Sequence, residues 1–531
     1  MIKDYINKFD TIVIGAGSAG CVLANRLSTN PDRNVLLLEA GSNDNWIWFH
    51  VPVGYLFAMG NPRADWCYSL EPQPGLNGRV LPYPRGKVLG GCSAINGMIY
   101  IRGQREDYDE WGLPGWTWAD VLPRFIKSED YFAGSNATHG SGGELRVEQQ
   151  RLKWDILEAW KHACMEYGMP ETTDFNSGSN EGVGLFHVNQ KSGVRLSGKR
   201  AFLAPIKHRK NLTIVTGVMV DKLLWDGNRV SGVSAIKDGR KCDFLAEDSV
   251  ILSAGAVSSP CILQRSGIGP EDALKAADID CRMKLEGVGQ NLQDHLQIRA
   301  QFRVSNTRTL NCMNRNWWGK AEMAMKYLLT RSGPLSMAPS QLGAFFKSDD
   351  SLDRPDLEYH VQPMSAERLG TELHSFPGIT ASVCNLRPSS RGSVNVRSSD
   401  PSIAPKIDPQ YLSTEDDLAK AARSIEITRE ISSQPSAQKF QPLEIKPGRE
   451  ITTKTDLYKA AGDIATTIFH PAGTCKMGAD GDASRVTGPD LKVEGFDNLF
   501  VADVSVLPKI TSGNTHAPAV MIAETLAENF N

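Results

Sequence analysis

Gly15, Gly17 and Gly20 stand in the three glycine places of G-x-G-x-x-G, and Glu39 follows about twenty residues on. Such glycines let a chain turn sharply, let backbone approach a pyrophosphate, and let a helix pack closely on a strand. A carboxylate at the place of Glu39 accepts hydrogen bonds from a ribose 2′-OH and repels a 2′-phosphate, which points to FAD or NAD and away from NADP. A second chemistry, general-base catalysis, needs a side chain with a pKa near the working pH, and imidazole suits it. The chain has ten histidines. Most histidines are structural, so residue type alone does not select the base.

The elements that must carry the glycines are legible. Residues 11–14 are apolar and largely β-branched and read as a strand, the glycine turn follows, a helix begins at Gly20, and 35–38 read as a second strand. The helix N-terminus then offers free N–H groups to phosphates. Residues 46–84 are rich in Trp, Pro and Gly without a sustained period and read as an extended excursion. Its aromatic residues suit a substrate entrance or simple area burial. Residues 154–168 have helical spacing and end in glycine, while 211–224 and 248–254 read as strands extending the nucleotide sheet. Residues 357–363, 379–386 and 393–397 are strand-like between turn signals and suggest an antiparallel sheet, followed by a helix over 416–432.

Composition bounds the rest. At 531 residues the chain exceeds one simple core, and 41% hydrophobic with 22% charged residues describes a globular protein. A net charge of −3 gives no footprint for nucleic acid. No two of the ten cysteines have C-x-x-C spacing, which argues against a zinc site, any other metal site and a disulfide frame. No secretory signal is expected, so the cytoplasm is the default location, with peripheral contact at an inner membrane left open. No apolar run approaches the ~20 residues that span a bilayer.

Beyond the fingerprint, RGKVLGGCSAINGMIYIRG (85–103) resembles the first signature of the glucose–methanol–choline (GMC) family of FAD-dependent oxidoreductases. GAVSSPCILQRSGIG (255–269) resembles the second, GVGQNLQDH (287–295) the segment after it, and HPAGTCKMG (470–478) with NLFVADVSVLPKITSGNTHAPAVMIAE (498–524) the C-terminal block. The order matches, and the resemblance is nearest to bacterial choline-dehydrogenase-like alcohol dehydrogenases. It implies a Rossmann-type α/β FAD-binding domain with a substrate domain built on an antiparallel sheet, α+β overall. The FAD domain would comprise 1–155, 201–300 and 461–531, with substrate-domain segments at 156–200 and 301–460.

The same resemblance implies site residues. His470 is expected to accept the hydroxyl proton and His516 to hydrogen-bond the alkoxide-like oxygen. FAD contacts are expected from Gly15, Gly17, Ser18, Ala19 and Gly20; from Glu39 and Ala40; and from Val88, Gly90, Gly91 and Ser93. They continue through Asn96, Gly97, Met98 and Ile99, then Val220 and Ala254, Asp503 and Val504, and Asn514 and Thr515. Ile95 occupies the place where some relatives carry a histidine bonded to flavin, which implies non-covalent FAD. Two departures bear on substrate: His516 replaces the Asn common in choline-dehydrogenase-like members, and Gln341 replaces a Glu that would suit a quaternary ammonium. Choline is therefore disfavoured, although a cage from Trp317 and Trp318 is conceivable.

The reading is thus an FAD-dependent dehydrogenase or oxidase that turns a primary alcohol into an aldehyde. A quinone, a cytochrome or O₂ would take the electrons. A small hydroxy acid is an alternative substrate. A hydroxynitrile lyase, an NAD-dependent dehydrogenase and a flavin-bearing binding protein are the rivals. The oligomeric state is open.

Overall fold

The computed structural model describes residues 8–367 and 371–530. Its first sheet has seven strands, and its centre is parallel. Leu212–Thr216, Val35–Glu39, Lys8–Ile14 and Arg240–Leu252 lie side by side in that order, and Leu499–Val501 pairs with the last. A parallel sheet is covered on both faces, so its strands read as unbroken aliphatic runs. Ile12, Val13, Leu36, Leu37, Val250 and Ile251 are fully buried accordingly. The helices Ser18–Leu27 and His516–Glu528 pack on one another, and Arg26 of the first forms an ion pair with the buried Glu524 of the second.

The long strand Arg240–Leu252 does two jobs. Its first half pairs antiparallel with Arg229–Lys237, which pairs in turn with Val218–Asp226. Its second half joins the parallel core at Ile12 to Ile14. The pattern of 211–224 predicts one strand; the structure has two, Leu212–Thr216 and Val218–Asp226, because Gly217 between them adopts φ +70°.

A second sheet is antiparallel: Leu443–Lys446, Leu296–Arg303, Gly378–Asn385, Leu357–Gln362, Leu342–Phe346 and Gly182–Leu185, with Ala465–Thr467 paired to the start of Leu296–Arg303. Strand residues alternate faces. Phe302, Tyr359, Val361 and Ile379 cover one face, against Trp160 of helix Asp155–Glu166 and Ile427 of helix Glu415–Ser432. The opposite face carries Gln297, Arg299, Gln301, Glu358, His360 and Gln362, all buried. Ser393–Asn395, expected in this sheet, pairs instead with Lys406–Asp408 in a separate ladder.

Candidate active site

One cavity of about 580 Å³ is lined by both sheets: Ile14, Leu38 and Val220 come from the first, and Gln297, His360 and Gln362 from the second. Its lining includes Gly17, Glu39 and Ala254 of the nucleotide fingerprint region and also Asn96, His470 and His516. The expected anchor and the expected chemistry therefore share one space.

At the anchor, strand Lys8–Ile14 ends at Gly15 with φ +95°, where a Cβ would stand 2.6 Å from the Ser253 carbonyl oxygen. Only glycine fits that turn. A Cβ on Gly20 would lie 1.9 Å from the Gly15 carbonyl, so the helix can start against the turn only with glycine there. Gly91 approaches so closely that its Cβ would be 2.7 Å from the Gly17 Cα. No side chain caps the helix Ser18–Leu27, and Ser18 and Ala19 of its first turn line the cavity. That uncapped N-terminus suits a pyrophosphate. Glu39 accepts the Ala16 N–H at 2.9 Å and the Gly41 N–H at 2.7 Å. Burial pushes its carboxyl up to about 7, the two amides and Lys87 pulling the other way. Each carboxylate oxygen keeps a lone pair for a ribose hydroxyl. These residues fit FAD.

At the other end the chain presents His470 by a strained turn. Phe469 has φ +68°, a left-handed conformation for a bulky residue, held by its N–H donating to Thr467 Oγ1 at 2.8 Å. The His470 N–H then donates to Asp294 Oδ1 at 2.7 Å, and Asp294 Oδ2 accepts from Tyr83, Tyr411 and Thr467. The His470 ring is fixed at both nitrogens. Its Nδ1 is 3.1 Å from Nδ1 of His295, whose Nε2 is 3.0 Å from the Leu386 carbonyl oxygen. A carbonyl only accepts, so His295 carries its proton on Nε2 and its Nδ1 accepts from His470. His470 consequently keeps a lone pair on Nε2, which accepts from Asn514 Nδ2 at 3.1 Å. Burial first, then the neighbouring His295, His360 and Arg85, holds His470 well below the ordinary histidine range and therefore neutral.

His516 opens the terminal helix. Its Nδ1 is 2.8 Å from Ser18 Oγ, and its buried Nε2 has no partner. Burial, assisted by the Arg195 charge, lowers its pKa to about 4. Arg195 is fully buried and donates to Asn96 Oδ1, to Ser93 O and to Pro52 O, which fixes the loop carrying Asn96.

Of the residues expected from sequence, Gly15, Gly17, Ser18, Ala19, Glu39, Ala40, Gly91, Asn96, Gly97, Met98 and Ile99 line the cavity. So do Val220, Ala254, Asp503, Val504, Asn514, Thr515 and both histidines. Gly20, Val88, Gly90 and Ser93 stand behind the wall and shape it. Val88 packs against Phe49 and Ala94, the Gly90 N–H donates to Ala16 O, and Ser93 Oγ accepts the Gly198 N–H. The Asp503 carboxylate is occupied by the N–H groups of Gly255 and Ser505 and by the Ser259 hydroxyl. Of the aromatic excursion, Tyr55, Trp66 and Tyr68 line the cavity, while Phe49 is core. Trp317 and Trp318 form no cage: they stack on each other at 3.6 Å, are 62% and 68% exposed, and lie away from the cavity wall. His295, Asp294, Arg85 and His360 had no assigned role. The Asp294–His295 pair at the end of GVGQNLQDH was the available signal.

Residues 9–297 and 388–523 match the N- and C-terminal family models of GMC oxidoreductases. The chain is 38% identical to the oxygen-dependent choline dehydrogenase of Vibrio vulnificus, over 98% of this chain and 94% of that protein. It is 39% identical to an alcohol dehydrogenase (acceptor) of Pseudomonas putida, over 98% and 95%. Among solved structures, pyridoxine 4-oxidase from Mesorbium loti superimposes with TM-score 0.89 at 31% identity, covering 98% of this chain and 99% of that one. Formate oxidase superimposes at 0.90 and 25% identity, covering 98% of each. With a shared cavity that fits FAD at one end and presents a neutral histidine at the other, the chain belongs to the GMC oxidoreductase family and is an FAD enzyme.

Proposed function

We propose that this enzyme oxidises a primary alcohol to an aldehyde with His470 as the base. The observation that carries the assignment is the fixed tautomer of His470, whose Nε2 lone pair belongs to a side chain lining the cavity. FAD, when bound, supplies the hydride acceptor. His470 Nε2 takes the hydroxyl proton. In the tautomer that this role requires, the Ser18 hydroxyl donates to His516 Nδ1 and the His516 proton lies on its unpartnered Nε2, from which it is donated to the oxygen as negative charge develops there. The segments of the first sheet would form the cofactor domain, and the polar face of the second would roof the substrate.

FAD is held without a covalent bond in this reading, since Ile95 offers no nucleophile. The acceptor would be a quinone or cytochrome, with O₂ as the alternative; the name of the Pseudomonas putida relative, alcohol dehydrogenase (acceptor), supports the first, and that of the oxygen-dependent Vibrio vulnificus relative supports the second. All ten cysteines are free, which supports a reducing cytoplasm, and no helix among the described residues is long and apolar enough to cross a membrane. The test is anaerobic reduction of the purified holoenzyme by a panel of alcohols, followed by air or a quinone. His470→Ala should slow flavin reduction by roughly 10²-fold or more. An unchanged rate would remove His470 from this role.

A further inference from the structure

Helix Trp317–Thr330 carries its apolar stripe on the side away from the protein. Asn316 caps it by accepting the Gly319 N–H at 2.9 Å, and its inward row is Gly319, Met323 and Tyr327, each buried. Met323 packs with Leu310, Met313 and Met337, while Tyr327 packs with Val51, Val53 and Tyr55 and donates its hydroxyl to the Gly193 carbonyl at 3.0 Å. At 3.6 residues per turn, Trp317, Trp318, Ala321, Met325, Leu328 and Leu329 fall in an arc of about 120° centred opposite that row. All six are exposed, Met325 by 57%, Leu328 by 66% and Leu329 by 76%. A surface helix in water turns its apolar stripe to the core and its polar residues outward. This one does the reverse.

Cations border the stripe. Lys320 lies on one side of the arc and Lys326 on the other, with Arg315 before the helix and Arg331 after it, all four exposed. Arg315, Lys320 and Lys326 form no ion pair with any described residue. The one acid of the helix, Glu322, is taken by Arg308 at 3.2 Å. The whole chain has a net charge of −3, so this face gathers positive charge against the trend of the molecule. The neighbouring segment adds to the patch: Ile47 and Phe57 are also exposed, and Tyr55 and Met59 between them and the interior pack towards Tyr327 and line the flavin cavity.

We propose that helix Trp317–Thr330 seats the enzyme on an anionic phospholipid bilayer. At about 21 Å the helix is too short to span the hydrocarbon core, and an outward apolar face edged by Lys and Arg is what lies in the plane of the interface. The two indoles suit the headgroup level, and the lysine stems reach past the stripe to lipid phosphates. A second copy of the chain fits the face poorly, because a two-fold contact would set the same cations against each other. Seating is independent of which alcohol is oxidised, and it places the membrane one layer of side chains from the cavity wall at Tyr55.

The test is co-sedimentation of the purified holoenzyme with vesicles of phosphatidylcholine alone and of phosphatidylcholine mixed with phosphatidylglycerol, read by flavin absorbance. The mixed vesicles should bind it about tenfold or more tightly than phosphatidylcholine alone. Trp318→Ser combined with Leu329→Ser should weaken binding to the mixed vesicles roughly tenfold or more. Arg315→Gln combined with Lys320→Gln should weaken it roughly tenfold and leave binding to phosphatidylcholine as it is. Both variants should keep the wild-type flavin content and Tm, since the changed side chains stand in water. Wild type that ignores the mixed vesicles would overturn the proposal, as would the Trp318→Ser, Leu329→Ser variant binding them as wild type does. A wild-type dimer in light scattering that this variant converts to monomers would assign the face to a second copy instead. None of these readings depends on turnover, so alcohol oxidation stands or falls separately by flavin reduction without lipid.

Discussion

His295→Leu isolates what the imidazole pair contributes. In the native arrangement the Leu386 carbonyl fixes the His295 proton on Nε2, His295 Nδ1 accepts from His470, and the His470 lone pair lies on Nε2, where the substrate hydroxyl takes the place of the Asn514 N–H. His295 is fully buried, so leucine removes the acceptor without admitting solvent. An unsatisfied buried donor costs about 1–3 kcal/mol. The ring escapes that cost by moving its proton to Nε2, where the unpartnered Oδ1 of Asn514 accepts it after an amide flip. That tautomer cannot take a proton from the alcohol. At 1.36 kcal/mol per factor of ten, the base-competent population falls roughly 5- to 150-fold. Anaerobic stopped-flow reduction at saturating alcohol should slow by that factor with little change in KM. His295→Gln offers an acceptor to His470 and a donor to Leu386, and should recover most of the rate. Wild-type reduction by a folded, flavin-loaded Leu variant would refute the tautomer assignment, as would a Gln variant that falls as far as Leu.

Two further outcomes follow from the same geometry. On acid precipitation the flavin should enter the supernatant, because Ile95 cannot bond it; colour retained in the pellet would mean that another residue does. Folding holds His516 neutral with a pKa lowered to about 4, whereas the unfolded chain protonates it near 6.5. This contribution to stability is intact above 6.5 and is lost as pH falls from 6.5 towards 4, on the order of 3 kcal/mol in all. Calorimetry should therefore show the Tm of wild type falling further than that of His516→Asn between pH 7 and 4, and parallel curves would exclude the effect.

The anchor was readable because its determinants are local. Gly15, Gly17, Gly20 and Glu39 lie within one strand–helix–strand unit, and the geometry that demands glycine is set by neighbours in that unit and by Ser253. The catalytic turn was readable by motif, yet the partner that fixes its tautomer was not, since His295 lies 175 residues from His470 and meets it through the pairing of Leu296–Arg303 with Ala465–Thr467 and the Gln293–Ala472 bridge beside it. Gly20, Val88, Gly90 and Ser93 carry motif positions but act from behind the wall, because a motif records what a site needs and not which atoms touch its ligand.

The parallel core places Lys8–Ile14 against Arg240–Leu252 and that strand against Leu499–Val501. On the ribosome these pieces arrive far apart in time. At about 5–20 residues per second, the first strand waits roughly 25–100 s for the last. During that interval the glycine turn exists without the Asp503 carboxylate that holds helix Gly255–Arg265, and without either histidine. Flavin loading is therefore a step of the nearly completed chain, and the unpaired edge of Arg240–Leu252 is the surface that nascent protein must keep from aggregation until then.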